Sequence, residues 1–438
     1  MNNELLTILD LVGVYAEKHK TKTWKRGDYV HYAGEWFDKE EYIAAVEALL
    51  TKWLILDRNG ATFEEKFPQF LGKNKGILTN SGSSSNLLAL EALKRWSKLP
   101  KGTKVITAAA SFPTTVNPII QVGWEPVFVD SEINTLNVDL EQVEREAAKG
   151  EAKVLFFAHA LGNPPNMDEI MRIVTKYGLF LVEDCCDALG SEYNGNPLGT
   201  YGIISTASFY PAHHMTMGEG GFVATNNPQI LTTLRSFRDW GRGCYCSGIK
   251  QNKLKNGVCG KRFGKWLAPH FNDEVDHKYV FTNIGYNMKP IEVQAAMGLQ
   301  QIKKLPQMKA KRVENYNQLF KIFQKYEKFF VLPIATDKSE PSWFAFPLTV
   351  KDNSPFTRTE FTKALEDAKI QTRNYFAGNL LNHPAYQDFR IDRQYPVADW
   401  ITRSTFFLGT SPVITSEQIQ YIEEIVDKTI ALALASKK

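Results

Sequence analysis

The sequence predicts an α/β protein: a large, mostly parallel sheet flanked by helices, followed by a smaller α+β domain. Three observations carry this reading. From Asp57 to Asn227 short apolar runs alternate with helical periods, the rhythm that lays parallel strands under crossover helices. Past Leu305 the pattern changes to a long helix, a strand and two further helices. A chain of 438 residues is also too long for one small domain and ample for a large core with a second body beside it.

Taken in chain order, "MNNELLTILDLVGVYAEKHK" carries Glu4 and Asp10 among its apolar positions and does not read as a signal peptide. The spacing of Leu5, Leu6, Ile8, Leu9, Leu11, Val12 and Val14 predicts an amphipathic helix packed on the body. "KVITAA" (104–109), "EPVFVD" (125–130), "KVLFFAHA" (153–160), "GLFLVED" (178–184) and "GIISTASFY" (202–210) read as buried strands. "NLLALEALKRW" (86–96) and "MDEIMRIVTKYG" (167–178) read as helices between them. The stretch 238–265 is glycine-rich, basic and aperiodic, as expected of a long functional loop. "QMKAKRVENYNQLFKIFQKY", "SWFAFPLTV", "RTEFTKALEDAKI" and "SEQIQYIEEIVDKTIALALA" then give helix, strand, helix and closing helix. The expected division is an N-terminal helical extension (1–45), a large α/β domain (46–300) that includes the loop 238–265, and a small α+β domain (301–438).

With 43% hydrophobic and 23% charged residues the composition is that of a soluble globular protein. A formal net charge of +4 is small for this length and argues against nucleic-acid or membrane-surface binding. No run approaches the ~18 apolar residues of a membrane span. Five cysteines, an odd number, fit a cytoplasmic protein with thiols reduced, metal-bound or buried.

In parallel sheets ligands gather at the carboxyl ends of strands, which makes His159, Asp184 and Ser208 candidates by position. "TNSGSSSNLLALEAL" (79–93) sets a Gly-Ser turn before a helix, where free amides and the helix dipole attract an anion. "LVEDCCDALGS" ends a strand in Asp184, a carboxylate suited to pairing with a ring N–H of a pyridine and keeping that ring electron-poor. The loop "SFPTTVNP" (111–118), then Ser208 five residues before His213, then "GYNMKP" (285–290), complete an ordered set.

Together these motifs resemble the DegT/DnrJ/EryC1/StrS sugar aminotransferases, within the fold-type I pyridoxal phosphate enzymes of the aspartate aminotransferase fold; the resemblance covers roughly residues 40–430. It implies that Gly82, Ser83 and Ser208 hold the cofactor phosphate, Phe112 stacks on the ring and Asp184 binds its nitrogen. Asn287 would reach the cofactor of a second subunit, so a homodimer is expected. The family usually has glutamine three residues past the aspartate; this chain has Asp187, whose expected contact is the ring hydroxyl. In "SFYPAHHMTMGEGG" (208–221) the lysine that anchors the cofactor is absent and His213 stands in its place, with His214 as a neighbour. Imidazole forms no Schiff base but moves protons near neutral pH. Pyridoxamine or pyridoxal 5′-phosphate would therefore be held non-covalently, with His213 as the base of a dehydration.

Cys186 and Cys244 are separated by 57 residues, Cys244 and Cys246 by one, and Cys246 and Cys259 by twelve. This spacing suits an iron-sulfur cluster, with zinc or plain buried thiols as alternatives. "EDCCDALGS", "SFYPAHH" and the cysteine set are similar to the family's iron-sulfur dehydrases, although the last gap is longer than theirs. The resemblance implies a 2Fe-2S cluster on Cys186, Cys244, Cys246 and Cys259, and an NAD(P)H-dependent flavin or iron-sulfur reductase as partner. The implied substrate is a nucleotide-linked 4-keto-6-deoxy sugar. Eight basic residues against one acidic in 238–265 are expected to steer an acidic electron donor. A cluster-free dehydratase of the same family and an inactive scaffold of the same fold remain as alternatives; an ordinary aminotransferase is opposed by the absent lysine.

Overall fold

The computed structural model describes residues 3–19, 23–244, 262–390 and 394–436. Cys246 and Cys259 lie outside them. Seven strands form the main sheet: β1 (Lys75–Thr79), β2 (Lys104–Ala108), β3 (Glu125–Val129), β4 (Ala152–Ala158), β5 (Phe180–Asp184), β6 (Ile204–Ser208) and β7 (Gly221–Thr225). Their order is β1-β7-β6-β5-β4-β2-β3. β7 runs antiparallel to both its neighbours, and the other contacts are parallel.

Both faces of this sheet are covered, which is why its strands read as continuous apolar runs. Val154 and Phe156 of β4 enter one core with Val105, Val182 and Val223, while Leu155 and Phe157 enter the opposite core with Ile106 and Leu181. Successive side chains alternate faces, so a one-residue slip would exchange the two cores. The crossover helices start on sequence-encoded caps. The side chain of Asn166 accepts from Glu169 N ahead of Met167–Tyr177, and Gly178 closes that helix in the left-handed region (φ 65).

The helix Glu292–Gln324 leaves the large core and carries the chain into a second one, crossing the expected boundary at 300/301. There Tyr316, Leu319 and Phe323 pack with β8 (Ala345–Val350) and β9 (Thr405–Gly409), an antiparallel pair. Helices Arg358–Asp367 and Ser416–Ala435 complete this layer. Val30 belongs to the same core, and it pairs with Ile370, so part of the N-terminal extension is tied to the small body. The first helix, Asn3–Lys18, packs on Lys39–Leu50. Of its seven apolar positions only Leu9 is buried, whereas Leu11 and Val14 are 63% and 64% exposed in the single chain. Gly13 takes the close contact instead, against Ile43. Among the described residues no helix is long and apolar enough to cross a membrane.

Candidate active site

The carboxyl ends of β1, β5 and β6 point to one edge of the sheet, where a cavity of about 610 Å³ lies between the large and small bodies. Gly82, Ser83, Phe112, Asp184, Asp187, Ser208, His213 and Cys186 all line it. A second cavity, of about 500 Å³, lies between the first two helices and is lined by residues such as Leu11, Tyr15 and Tyr42. None of the candidate site residues is there, so the first cavity is the one with chemistry.

Ser81 caps the helix Gly82–Ser97: its Oγ accepts from Ser84 N at 3.1 Å and its carbonyl from Ser85 N at 3.0 Å. The amides of Gly82 and Ser83 belong to the first turn, which no intrahelical carbonyl can satisfy. Gly82 is required by crowding. A Cβ there would meet Ser208 Cβ at 2.5 Å, Ser208 Oγ at 2.9 Å and Cys186 Sγ at 3.1 Å. Three elements thus converge on a small concavity of amides and hydroxyls at a helix start, the chemistry that a phosphate needs.

Asp184 is almost fully buried and its carboxylate is held from two sides. Oδ2 accepts from Asn86 Nδ2 and from Thr115 Oγ1, both at 2.8 Å, and Oδ1 accepts from Cys186 N at 3.1 Å. Asn86 is fixed in turn, since its Oδ1 accepts from Thr206 Oγ1 at 2.6 Å and its Nδ2 also donates to Thr114 O at 3.0 Å. Oδ2 is thus filled, and Oδ1, beside the Cys186 amide and thiol, is the oxygen left to meet a ring N–H in the cavity.

His213 sits on the turn between β6 and β7. These strands are paired up to Ser208 and Gly221, and Phe209 N donates to Gly220 O (2.9 Å) and Met217 N to Phe209 O (3.1 Å), closing the base of the turn. No lysine is among the described residues that line the cavity. His213 Nδ1 lies 3.4 Å from Asp187 Oδ1 and is buried without a hydrogen-bond partner. Burial, reinforced by the nearby Arg312 cation, pushes the His213 ring down to about 4, so the imidazole is neutral at pH 7. Burial and the neighbouring Asp184 push Asp187 up to about 8, partly offset by Arg312. His214 points away, with Nε2 2.7 Å from Ser342 O, and joins the two bodies.

Other expected residues stand elsewhere. Phe112 is at the cavity mouth, edge-on to Phe376 at 5.7 Å. Asn287 is outside the cavity of the single chain; its Oδ1 accepts from Lys289 Nζ at 2.8 Å. Cys244 is half-buried. His159 is a structural residue: its Nε2 lies 3.1 Å from Glu183 Oε2, which also takes Gly199 N at 2.9 Å. The basic stretch 238–265 is corrected at two positions. Arg238 is buried against Glu64 (2.6 Å) and Asp239 (3.1 Å), and Arg262 pairs with Asp276 (2.8 Å). The buried Arg238 is not available for steering a partner, whereas Arg262 stays exposed with its charge paired.

Sequence reasoning missed Asn86, Thr115 and Arg312. Asn86 had a signal, a polar residue continuing the buried stripe Ala89, Leu90 and Leu93 of its helix. Arg312 had the same signal, standing on the buried stripe Leu305, Met308, Tyr316 and Leu319 of its helix, but its lysine neighbours make the stretch read as a solvated face.

The cradle, the anchored carboxylate with a free lone pair and the orphaned imidazole nitrogen together fit a pyridoxal or pyridoxamine phosphate group. Comparison with known proteins agrees. The profile of the DegT/DnrJ/EryC1/StrS aminotransferase family matches residues 37–427. The chain is 43% identical to the lipopolysaccharide biosynthesis protein RfbH of Salmonella typhimurium, over 96% of this chain and 97% of that protein. It is 39% identical to the dTDP-4-dehydro-2,6-dideoxy-D-glucose 3-dehydratase of Saccharopolyspora spinosa, over 97% and 92%. The Escherichia coli GDP-4-keto-6-deoxy-D-mannose-3-dehydratase, solved with bound hydrated pyridoxal phosphate, superposes with a TM-score of 0.80 at 28% identity, over 91% and 99% of the two chains. The fold is that of the fold-type I pyridoxal phosphate enzymes, and the chain belongs to the DegT/DnrJ/EryC1/StrS aminotransferase family.

Proposed function

We propose that this protein is a pyridoxamine phosphate-dependent dehydratase that removes the C3 hydroxyl of a nucleotide-linked 4-keto-6-deoxyhexose. CDP-4-keto-6-deoxy-D-glucose is the leading substrate, which would put the enzyme in dideoxysugar biosynthesis for a cell-surface polysaccharide. The observation that carries the reading is a cofactor-shaped cavity with neutral His213, and no lysine, on the turn where the family places its anchor. When bound, the cofactor supplies an amine for the sugar ketone and a ring that stores electron density.

In this reading the amides of Gly82 and Ser83 and the hydroxyl of Ser208 hold the phosphate, Asp184 keeps the ring nitrogen protonated and Phe112 covers the ring face. Asp187, which lines the same cavity, serves the ring hydroxyl. His213 takes a proton from the carbon beside the ring and holds it for the departing C3 hydroxyl. Burial keeps the imidazole neutral, so a lone pair is free, and the same burial lowers its basicity, which a charged intermediate nearby would have to restore. Asn287 completes the site of a second subunit in a homodimer, and the enzyme is cytoplasmic.

A 2Fe-2S cluster on Cys186, Cys244, Cys246 and Cys259 is the second part of the proposal and rests on the cysteine spacing. It would pass electrons singly, so an NAD(P)H-dependent flavin or iron-sulfur reductase is the expected partner. The second reading is a cluster-free dehydratase, favoured by the similarity to an enzyme solved with bound hydrated pyridoxal phosphate. Iron and acid-labile sulfide analysis of anaerobically purified protein, with a visible spectrum before and after reduction, separates the two. About two irons and two sulfides per chain, bleaching on reduction, support the cluster. Zinc or no metal sinks it and leaves the second reading.

A further inference from the structure

The two walls of the cavity come from different bodies and differ in charge. The large body supplies the cradle at Gly82 and Ser83 together with three carboxyl groups, those of Asp184, Asp187 and Glu219. The small body supplies Phe344, Arg373, Asn374, Phe376 and Phe407, and the N-terminal extension adds Tyr32. Among the described residues that line the cavity, Arg373 is the only lysine or arginine. A nucleotide-linked sugar carries its diphosphate as an anion, and in the proposed function the cradle is already taken by the phosphate of the cofactor.

We propose that Arg373 binds the diphosphate of the nucleotide sugar and that Tyr32 positions it. The inference rests on the reading of the substrate as nucleotide-linked. Arg373 stands on the two-residue strand Arg373–Asn374, which pairs with β9 so that Arg373 faces Phe407 and Asn374 faces Phe406. Side chains directly opposite on paired strands share a face, and both Arg373 and Phe407 line the cavity. Asn374 is braced from behind, where its Oδ1 accepts from Arg358 Nη1 at 2.6 Å.

The Arg373 guanidinium is held and yet unpaired. Nη1 donates to Thr372 O at 2.7 Å, and the guanidinium carbon lies 4.3 Å from the centre of the Tyr32 ring. No carboxylate pairs with it among the described residues, and the side chain is exposed. An aromatic face attracts a cation without consuming any of its N–H donors. A guanidinium has five donors in a planar fork, so most of the fork is left for a ligand, and its shape matches paired phosphate oxygens.

The extension reaches this place through its main chain. Val30 N donates to Lys369 O (2.8 Å), Gln371 N to Val30 O (3.0 Å) and Tyr32 N to Gln371 Oε1 (3.4 Å), so residues 30–32 run beside the segment that leads into Arg373. They also pass close to β9, where a Cβ at Gly409 would fall 1.9 Å from Tyr32 O. Tyr32 precedes residue 37, at which the match to the family begins, so a segment outside that match completes the small-body wall.

Calorimetric titration of the whole chain, loaded with pyridoxamine phosphate, with CDP, dTDP and GDP is the test. The nucleotide that binds wild type most tightly is expected to bind Arg373→Gln roughly 10-fold more weakly and with a flatter dependence on salt. Arg373→Lys, which keeps the charge without the fork, should fall between the two. Tyr32→Leu should weaken the same nucleotide about 2 to 5-fold and Tyr32→Phe should restore it, because either aromatic ring can hold the cation. Affinity for pyridoxamine phosphate should stay unchanged in Arg373→Gln, which separates this anion site from the cradle. Equal nucleotide affinity in wild type and a folded Arg373→Gln protein overturns this inference alone, as does a loss of pyridoxamine phosphate affinity in place of nucleotide affinity. Wild-type nucleotide affinity that does not fall with salt overturns it whether or not the variants fold. If wild type binds none of the three nucleotides, the nucleotide-linked substrate fails and this inference fails with it.

Discussion

Replacing Gly82 by alanine tests the phosphate cradle without removing any polar side chain. The new Cβ would sit 2.5 Å from Ser208 Cβ and 2.9 Å from Ser208 Oγ, where carbon pairs rest at about 3.5 to 4.0 Å. Ser208 must retreat by roughly 1 Å, taking its hydroxyl from the helix start. Overpacking of this kind costs about 1 to 3 kcal/mol. Alanine gains about 0.8 to 1 kcal/mol over glycine within a helix, so global stability should fall by only about 0 to 2 kcal/mol. Cofactor binding suffers more. A hydrogen bond to a charged group contributes about 1.5 to 3 kcal/mol, so disturbing two of them weakens binding by about 3 to 6 kcal/mol, or roughly 10² to 10⁴-fold. Calorimetric titration with pyridoxamine phosphate, beside urea denaturation of the same samples, measures both quantities. A folded Gly82→Ala protein that binds pyridoxamine phosphate as tightly as wild type would refute the placement of the phosphate.

Further outcomes follow from the same geometry. Asn86→Leu leaves Thr206 Oγ1 with only its long 3.5 Å contact to Glu183 O and removes one of two donors to Asp184 Oδ2; a loss of about 1 to 3 kcal/mol is expected in urea denaturation, together with weaker cofactor binding. His213→Asn should lower single-turnover dehydration by about 10² to 10⁴-fold while leaving the far-ultraviolet circular dichroism unchanged, because Arg312 grips the main chain of residue 213. Burial, then the Arg312 charge, hold His214 well below its usual range. The unfolded chain therefore binds a proton that the folded chain refuses, so stability falls as pH drops below about 6.5, by up to about 1.4 kcal/mol per unit. His214→Gln, which keeps a donor for Ser342 O, should flatten that slope in urea midpoints measured from pH 7 to 5.

The five main-sheet strands read from the sequence, "KVLFFAHA" among them, were legible because they are buried on both faces and bounded by turn residues, whereas the short Lys75–Thr79 was missed. The strand Thr405–Gly409 was not. "TFFLG" follows a helix directly, and an apolar run of only three residues, Phe406 to Leu408, fits either period. The site was legible where chemistry is written in one segment, as in the turn at Ser81–Ser83 or the strand end at Asp184. It was illegible where it depends on distant residues. Thr115 reaches Asp184 across 69 positions and Arg312 reaches His213 across 99, and neither separation leaves a trace in local pattern. The N-terminal helix shows the opposite failure. Its period was correct, but periodicity names an apolar face without saying which side the body occupies, and Leu11 and Val14 remain exposed.

The turn between β6 and β7 separates identity from architecture. Its base is sealed by main-chain hydrogen bonds at Phe209, and its tip is gripped through the carbonyls of Ala212 and His213. None of these contacts consults the side chain at 213. A single codon change there can therefore exchange an anchoring amine for a free base while the sheet, the cradle and the turn stay as they are. On this scaffold the side chain at 213 can change at little cost to stability, because nothing that holds the turn depends on it.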